Sequence, residues 1–179
     1  FMLKVFSILA ASLLLSGCST ATKIVTSPKI PIDKSKSCAL MPLINDTNYY
    51  GADGTVSAAM ETEIAKKGVC KLIEQSEIAY KLKNMGVEKE RLFDKNYAIS
   101  LASKLNVDYI FLGRVTEYNY QYGLREDPAV GLSVKLIDTK GQEVIWSADE
   151  GRVNRSFIFR DSLAATAIET VKSVLSDLK

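Results

Sequence analysis

The segment 107–153 constrains the fold most, because almost all of it favours β-strands. Residues 107–115 are rich in β-branched and aromatic side chains, and an alternating pattern continues from there to Tyr122. A second alternating stretch covers 129–138, and a third covers 143–153. Between them, residues 139–142 predict a hairpin turn in which Gly141 takes a positive φ. The segment therefore predicts three consecutive strands of one sheet.

Strands and helices alternate in the preceding part of the chain. Short apolar runs predict strands at 38–45, where Pro42 indicates an edge position or a bulge, and at 69–73. Helical periodicity predicts helices at 55–67, 76–85, 95–105 and 162–178, the last three capped by Ser76, Asp94 and Asp161. The order is β-α-β-α-α-β-β-β-α. This predicts an α/β fold with α+β character, a mixed β-sheet of about five strands with helices packed on it.

Composition excludes several classes of function. The chain has 179 residues, which predicts one folded domain, and its net charge of +2 gives no electrostatic basis for binding nucleic acid. It has no histidine, which excludes Ser-His-Asp and Cys-His catalysis and histidine-based zinc sites. No two carboxylates are spaced as a general acid and base. We therefore expect no enzymatic activity, no metal site and no cofactor.

The N-terminus has the pattern of a bacterial export signal. Lys4 precedes an apolar stretch at 5–15 that is too short to span a bilayer and ends in Leu15-Ser16-Gly17-Cys18. This ending resembles the lipobox, in which cleavage leaves a lipid-modified cysteine as the first mature residue; the alternative is an ordinary secretory signal. We expect a signal peptide at 1–17, a covalent lipid on Cys18 and, from Ser19, an outer-membrane location. Residues 18–37 are expected to form a flexible linker, and 38–179 a periplasmic domain.

Four segments of the expected domain resemble one family. Residues 39–46 are similar to the family's first strand and residues 69–75 to its second. The sequence Leu105-Asn-Val-Asp-Tyr-Ile-Phe-Leu-Gly113 is similar to its core strand, and Val134-Lys-Leu-Ile-Asp-Thr-Lys-Gly-Gln-Glu-Val-Ile-Trp-Ser147 is similar to its hairpin. The chain thus resembles the CsgG-like bacterial lipoproteins. This group includes the curli-secretion channel CsgG, the polysaccharide-export protein PelC and the penicillin-binding-protein activator LpoB.

The resemblance implies two alternatives for function. The chain has no room between Arg114 and Val134, or after Ser147, for the transmembrane hairpins of the curli channel. The soluble core alone implies a homo-oligomeric ring under the outer membrane, serving curli-type or exopolysaccharide-type secretion together with other envelope-assembly proteins. The alternative is an LpoB-like regulator that binds and activates a periplasmic penicillin-binding protein, a task for which the linker is short.

Two cysteines of the expected domain form a candidate disulfide. Cys38 and Cys70 each lie at the beginning of a predicted strand, and one helix joins these strands. Strands in a β-α-β order are normally parallel and often adjacent, so their starts come close together. The oxidising compartment expected after export favours a bond between them. The alternatives are this disulfide and two buried thiols that pack as small apolar side chains.

A row of tyrosines forms the candidate interface. In a strand, the sequence Glu117-Tyr-Asn-Tyr-Gln-Tyr122 places Tyr118, Tyr120 and Tyr122 on one face. Tyrosine is enriched at protein interfaces, and the following loop, which contains Arg125, lies where the curli channel inserts its first pore hairpin. The alternatives are a subunit–subunit or channel-facing contact formed by these residues and a row packed beneath the C-terminal helix.

Overall fold

The computed structural model describes residues 20–26, 31–123, 126–155 and 161–178. Within these ranges, seven strands form one mixed sheet, and four α-helices pack on it. The strands are β1 (Thr20–Thr26), β2 (Ser37–Leu40), β3 (Ile44–Asn45), β4 (Lys71–Leu72), β5 (Tyr109–Tyr122), β6 (Glu126–Asp138) and β7 (Glu143–Val153). The helices are α1 (Ala52–Lys67), α2 (Gln75–Asn84), α3 (Lys95–Leu105) and α4 (Leu163–Val174), with a 3₁₀ turn at Lys89–Arg91. The predicted fold class is confirmed.

The sheet combines an antiparallel half and a parallel half. Its order is β1-β7-β6-β5-β2-β4, and β3 pairs with β5 as well. β5, β6, β7 and β1 are antiparallel neighbours, whereas β2 and β3 run parallel to β5, and β4 runs parallel to β2. This division follows from the connections, because hairpins join antiparallel strands and helical crossovers join parallel ones.

Alternation along β5 divides the core into two clusters. Phe111 and Val115 face one cluster, which also contains Trp146 of β7 and the apolar stripes of α1 and α4. Ile110 and Leu112 face the other cluster, together with the buried residues of α2 and α3. Successive side chains of a strand point to opposite faces, so each helix pair covers its own face of the sheet.

Pro42 interrupts the first predicted strand. β2 and β3 both pair with β5, Leu40 opposite Phe111 and Ile44 opposite Arg114, so three residues of one chain segment lie opposite two of the other. The proline ring has no N–H to donate to the ladder, which explains the interruption at this point. The expected bulge is therefore present, and it divides the segment 38–45 into two short strands.

The helix starts follow the prediction only in part. Asp94 caps α3, and its carboxylate accepts the N–H three residues further on at 2.9 Å. Ser76 lies inside α2, which begins one residue earlier and has no side-chain cap. Ser162, not Asp161, caps α4, because its hydroxyl oxygen accepts the N–H of the third following residue at 3.1 Å.

The β6–β7 turn forms at the predicted place with a different residue in the left-handed conformation. The positive φ of 53° belongs to Gln142 and not to Gly141. Gly141 instead donates its backbone N–H to a carboxylate oxygen of Asp138 at 3.1 Å. This side-chain acceptor closes the turn without requiring the conformational freedom of the glycine.

The strand β1 lies within the segment that was predicted to be a flexible linker. It pairs antiparallel with β7 at seven consecutive positions, from Thr20 opposite Val153 to Thr26 opposite Ser147. Lys23 fastens it to α4, because its ammonium group donates to the carbonyl oxygen of Ser173 at 2.6 Å. The expectation of a flexible linker is therefore wrong for residues 20–26. The β-branched residues of this segment favour a strand, and the open edge of β7 provides the strand with which it pairs.

Candidate functional site

The structure brings Cys38 and Cys70 together in a disulfide. Their Cα atoms lie 5.9 Å apart, a normal separation for such a bond. Cys38 belongs to β2 and Cys70 directly precedes β4, and these two strands are parallel neighbours. Both cysteines are buried, with 0% and 7% of their surface exposed. The bond therefore ties two strands of the core together and offers no accessible thiol.

The three tyrosines of β5 lie on one face, but they do not form one exposed surface. The register between β5 and β6 shifts between Val115 and Glu117, so Thr116 is an extra residue in the strand. This shift turns Tyr118 onto the core side that Val115 faces, and only 4% of its surface is exposed. Burial also raises the pKa of its phenol. Tyr118 therefore packs in the core and contributes no exposed surface.

The other two tyrosines remain accessible. Tyr120 is 37% exposed and Tyr122 is 83% exposed. Arg125 of the predicted interface and Cys18 of the predicted lipid anchor lie outside the described residues, so both assignments stay predictions.

Two further tyrosines extend this exposed aromatic group. The loop before α1 places the ring of Tyr49 4.9 Å from the ring of Tyr118, and the neighbouring Tyr50 is fully exposed. A cleft of about 400 Å³ lies between this loop and β5, lined by Asp46, Thr47, Asn48, Tyr49, Thr116, Glu117, Tyr118 and Asn119. We call the four accessible residues Tyr49, Tyr50, Tyr120 and Tyr122 the aromatic end. The sequence shows Tyr49 and Tyr50 in a polar loop, and no local pattern indicates their approach to β5.

A second accessible surface lies on the opposite face of the sheet, the one covered elsewhere by α2 and α3. One register row crosses four strands there and contains Ile24, Asp149, Ser133 and Arg114. Ile24 is 66% exposed, and Asp149 is exposed as well. In the next row, a side chain at Gly151 would meet no atom within 4 Å. We call this surface, formed by Ile24, Arg114, Ser133, Asp149 and Gly151, the open sheet face.

Aromatic and cationic side chains border the open sheet face. The guanidinium of Arg114 lies 5.0 Å from the ring centroid of Phe93, and the ammonium of Lys135 lies 4.1 Å from the same centroid. Arg114 also forms an ion pair with Asp46 at 2.9 Å. These contacts hold an arginine and an aromatic ring in defined positions, and both residue types are enriched among the residues that dominate protein–protein binding energy.

Among the described residues, no three or more cysteine, aspartate or glutamate side chains are grouped closely enough to hold a metal ion. No helix in the described ranges has the length and apolar character needed to cross a membrane. The accessible surfaces present aromatic rings, an arginine held by an ion pair and an uncovered part of the sheet.

Comparison with known proteins gives one family match and several structural relatives. The family model described as peptidoglycan-synthase activator LpoB matches residues 19–151, which is most of the chain. No curated protein sequence matches. The PelC dodecamer from Paraburkholderia phytofirmans has a TM-score of 0.66 at 22% identity, covering 89% of this chain and 97% of that chain.

Two other solved structures have the same architecture. Lipoprotein GNA1162 from Neisseria meningitidis has a TM-score of 0.61 at 16% identity, covering 79% of this chain and 99% of that chain. The LpoB C-terminal domain from Salmonella enterica has a TM-score of 0.51 at 15% identity, covering 81% of this chain and 92% of that chain. At these identities the similarity concerns the fold. The matches support the LpoB and PelC parts of the predicted resemblance, and none of those described here supports the curli-channel part.

Proposed function

Because this chain belongs to the peptidoglycan-synthase activator family LpoB, we propose that it is a non-enzymatic regulator that binds and activates a peptidoglycan synthase in the periplasm. The family match over residues 19–151 is the observation that carries this proposal. It favours the regulator over the secretion ring, which was the main interpretation of the sequence. The likeness to the PelC dodecamer concerns the fold and does not by itself support a secretion role.

The open sheet face is the surface that we propose for the enzyme. It presents one register row across four strands, with the exposed apolar side chain of Ile24 at one side and Arg114, held by Asp46 and Phe93, at the other. Protein interfaces combine such an apolar area with fixed arginine and aromatic groups. Gly151 leaves room for a partner to approach the backbone, since nothing lies within 4 Å of the position of its absent side chain.

We also propose that a lipid on Cys18 holds this regulator at the periplasmic side of the outer membrane. Only Ser19 separates Cys18 from β1, so the domain has almost no spacer of its own. Under this proposal the synthase itself must bridge the periplasm to reach the domain. Replacement of Cys18 by Ala is expected to release the protein from isolated outer membranes, and a variant that still sediments with them would contradict the anchor.

The function is tested by activity of the partner enzyme. A class A penicillin-binding protein from the same organism is incubated with its lipid-linked precursor, with and without the purified mature protein. We expect the rate of glycan polymerisation to rise severalfold when the protein is present. An unchanged rate, together with no binding by interferometry, would refute the regulator proposal.

The docking surface is tested separately by a matched pair of glycine variants. Gly151→Arg adds a bulky side chain to the open sheet face, whereas Gly54→Arg adds the same side chain at an exposed position of α1, which packs on the other face of the sheet. Neither position has a neighbouring atom within 4 Å, so both variants are expected to fold. Activation is expected to be lost for Gly151→Arg and kept for Gly54→Arg. Equal activation by both variants would refute the surface and leave the function standing.

A further inference from the structure

The register of β1 fixes the end of the sheet at which the chain enters the domain. Thr20 lies opposite Val153, Val153 lies opposite Ala129, and Ala129 lies opposite Asn119. These four residues form the last row that all four antiparallel strands share. Cys18 precedes Thr20 by two residues, which span at most about 7 Å. A lipid attached to Cys18 would therefore lie close to this row.

The aromatic end lies at the same edge of the sheet. β5 and β6 continue beyond the shared row as a hairpin, with Tyr120 opposite Pro128 and Tyr122 opposite Glu126. At about 3.3 Å per residue, Tyr122 lies about 10 Å beyond Asn119 of the shared row. This distance is similar to the one that Cys18 can span beyond Thr20 of the same row. The ring of Tyr49 approaches the preceding part of β5 through its contact with Tyr118.

From these relationships we propose that the aromatic end is a membrane-docking surface, whose tyrosines lie in the headgroup layer of the leaflet that holds the acyl chains of Cys18. The inference rests on the proposed lipid anchor. A lipid surface is the expected partner of this end, because only one residue separates the proposed anchor at Cys18 from β1 and the end must therefore lie close to the bilayer. Tyrosine favours this layer, since its ring is apolar and its hydroxyl group is polar.

The hairpin carries two carboxylates at this edge, Glu126, which is exposed, and Asp127. Asp127, in the hairpin, lies 3.8 Å from the guanidinium of Arg155, so its negative charge has a cationic partner there. The docked orientation directs the open sheet face sideways and the β6–β7 turn into the periplasm, because β6 runs from the aromatic end to that turn. Enzyme binding and membrane docking therefore use separate surfaces.

The test places a tryptophan probe at the proposed contact. Mature protein carrying Tyr122→Trp is reconstituted into phosphatidylethanolamine and phosphatidylglycerol vesicles that contain headgroup-proximal spin-labelled lipid. Tyr80→Trp is the matched control, because Tyr80 is 70% exposed on α2, which packs against β2 away from this edge. The native Trp146 is fully buried, so the wild-type protein gives the background emission.

We expect the spin label to reduce the added emission of Tyr122→Trp and to leave that of Tyr80→Trp unchanged. If the spin label reduces the emission of both variants equally in protein that floats with the vesicles, membrane docking is refuted while the lipid anchor stands. A second copy covering the aromatic end would give this result, with an oligomer in mass photometry. Protein that fails to float with the vesicles would refute the anchor, and the docking proposal would fall with it.

Discussion

Lys23 of β1 donates a hydrogen bond from its ammonium group to the backbone carbonyl oxygen of Ser173, at the C-terminal end of α4. The same ammonium donates to the hydroxyl oxygen of Ser176 at 2.6 Å and pairs with Asp177. The last carbonyl groups of a helix have no partner within it, and a cation at that end also interacts favourably with the helix dipole. This one side chain therefore links the first strand to the last helix.

Replacement of Lys23 by Met is expected to weaken this link. The variant keeps the apolar stem and removes the charge, so we expect the free energy of unfolding to fall by about 1–2 kcal/mol. Hydrogen exchange of the amides in β1 is expected to become faster than in the wild type. Urea denaturation and hydrogen exchange measure the two effects, and Lys34→Met at an exposed position serves as the control. Unchanged exchange in β1 would contradict the role of Lys23.

Removal of the disulfide is expected to cost far more. The double variant Cys38→Ala, Cys70→Ala opens a loop with a sequence separation of 32 residues. The chain entropy of such a loop predicts a loss of about 3–4 kcal/mol in the free energy of unfolding. Denaturation of the wild type with and without a reducing agent is expected to show a similar difference. Two reactive thiols in the denatured, unreduced wild type would contradict the bond itself.

Two glycines of the central strands are expected to respond in opposite ways to alanine. A Cβ atom at Gly131 would lie 2.5 Å from the hydroxyl oxygen of Thr116 and 3.2 Å from the backbone nitrogen of Glu117. The backbone of the bulge cannot move away easily, so Gly131→Ala is expected to cost about 1–3 kcal/mol. Gly151→Ala meets no atom within 4 Å and is expected to be neutral or to stabilise by up to about 1 kcal/mol. Thermal unfolding measures the stability of both variants, and similar melting temperatures would contradict the expected contrast.

Asp108 gives the fold a specific sensitivity to acid. The backbone N–H of Ser37 donates to its carboxylate at 3.1 Å and, with Lys140, holds the pKa of this carboxyl below its ordinary value of 3.8. A carboxyl whose pKa is lowered on folding stabilises the fold above its unfolded pKa, and this stabilisation disappears as the pH falls through the folded pKa.

We therefore expect Asp108→Asn to lower the free energy of unfolding by about 1 kcal/mol at pH 7. As the pH falls through the folded pKa, the wild-type carboxyl becomes protonated, so the difference in stability between the variant and the wild type is expected to shrink. Urea titrations at several pH values provide the measurement. A difference in unfolding free energy that stays constant between pH 7 and pH 2 would show that the charge of Asp108 does not matter.

Local patterns in the sequence predict much of the fold. The alternation in β5, β6 and β7, and the carboxylate of Asp94 at the start of α3, act on residues only a few positions away. β1 differs, because its stability comes from the edge of β7 and from a hydrogen bond between residues 150 positions apart in the sequence. No pattern inside the segment 20–26 predicts that it pairs with β7 or that Lys23 binds α4.

The candidate surfaces were harder to predict for the same reason. The alternation correctly places three tyrosines of β5 on one face, but the extra residue Thr116 decides which face this is. A one-residue shift exchanges the two sides of a strand, and neither Val115 nor Glu117 marks it in the sequence. Likewise, the open sheet face exists because α2 and α3 stop short of Asp149 and Gly151, and their packing depends on the whole fold.

The pairing of β1 with β7 has a consequence in time. A ribosome makes β1 first among the strands described here, but Thr26 pairs with Ser147 and Thr20 with Val153, which are made only near the end of the chain. Contacts between segments so distant in sequence form late in folding. Until β7 has been made, β1 therefore lacks its strand partner, and Val25, which packs against the core in the folded protein, is uncovered. A chaperone that protects incompletely folded chains would need to shield this strand until β7 is available to pair with it.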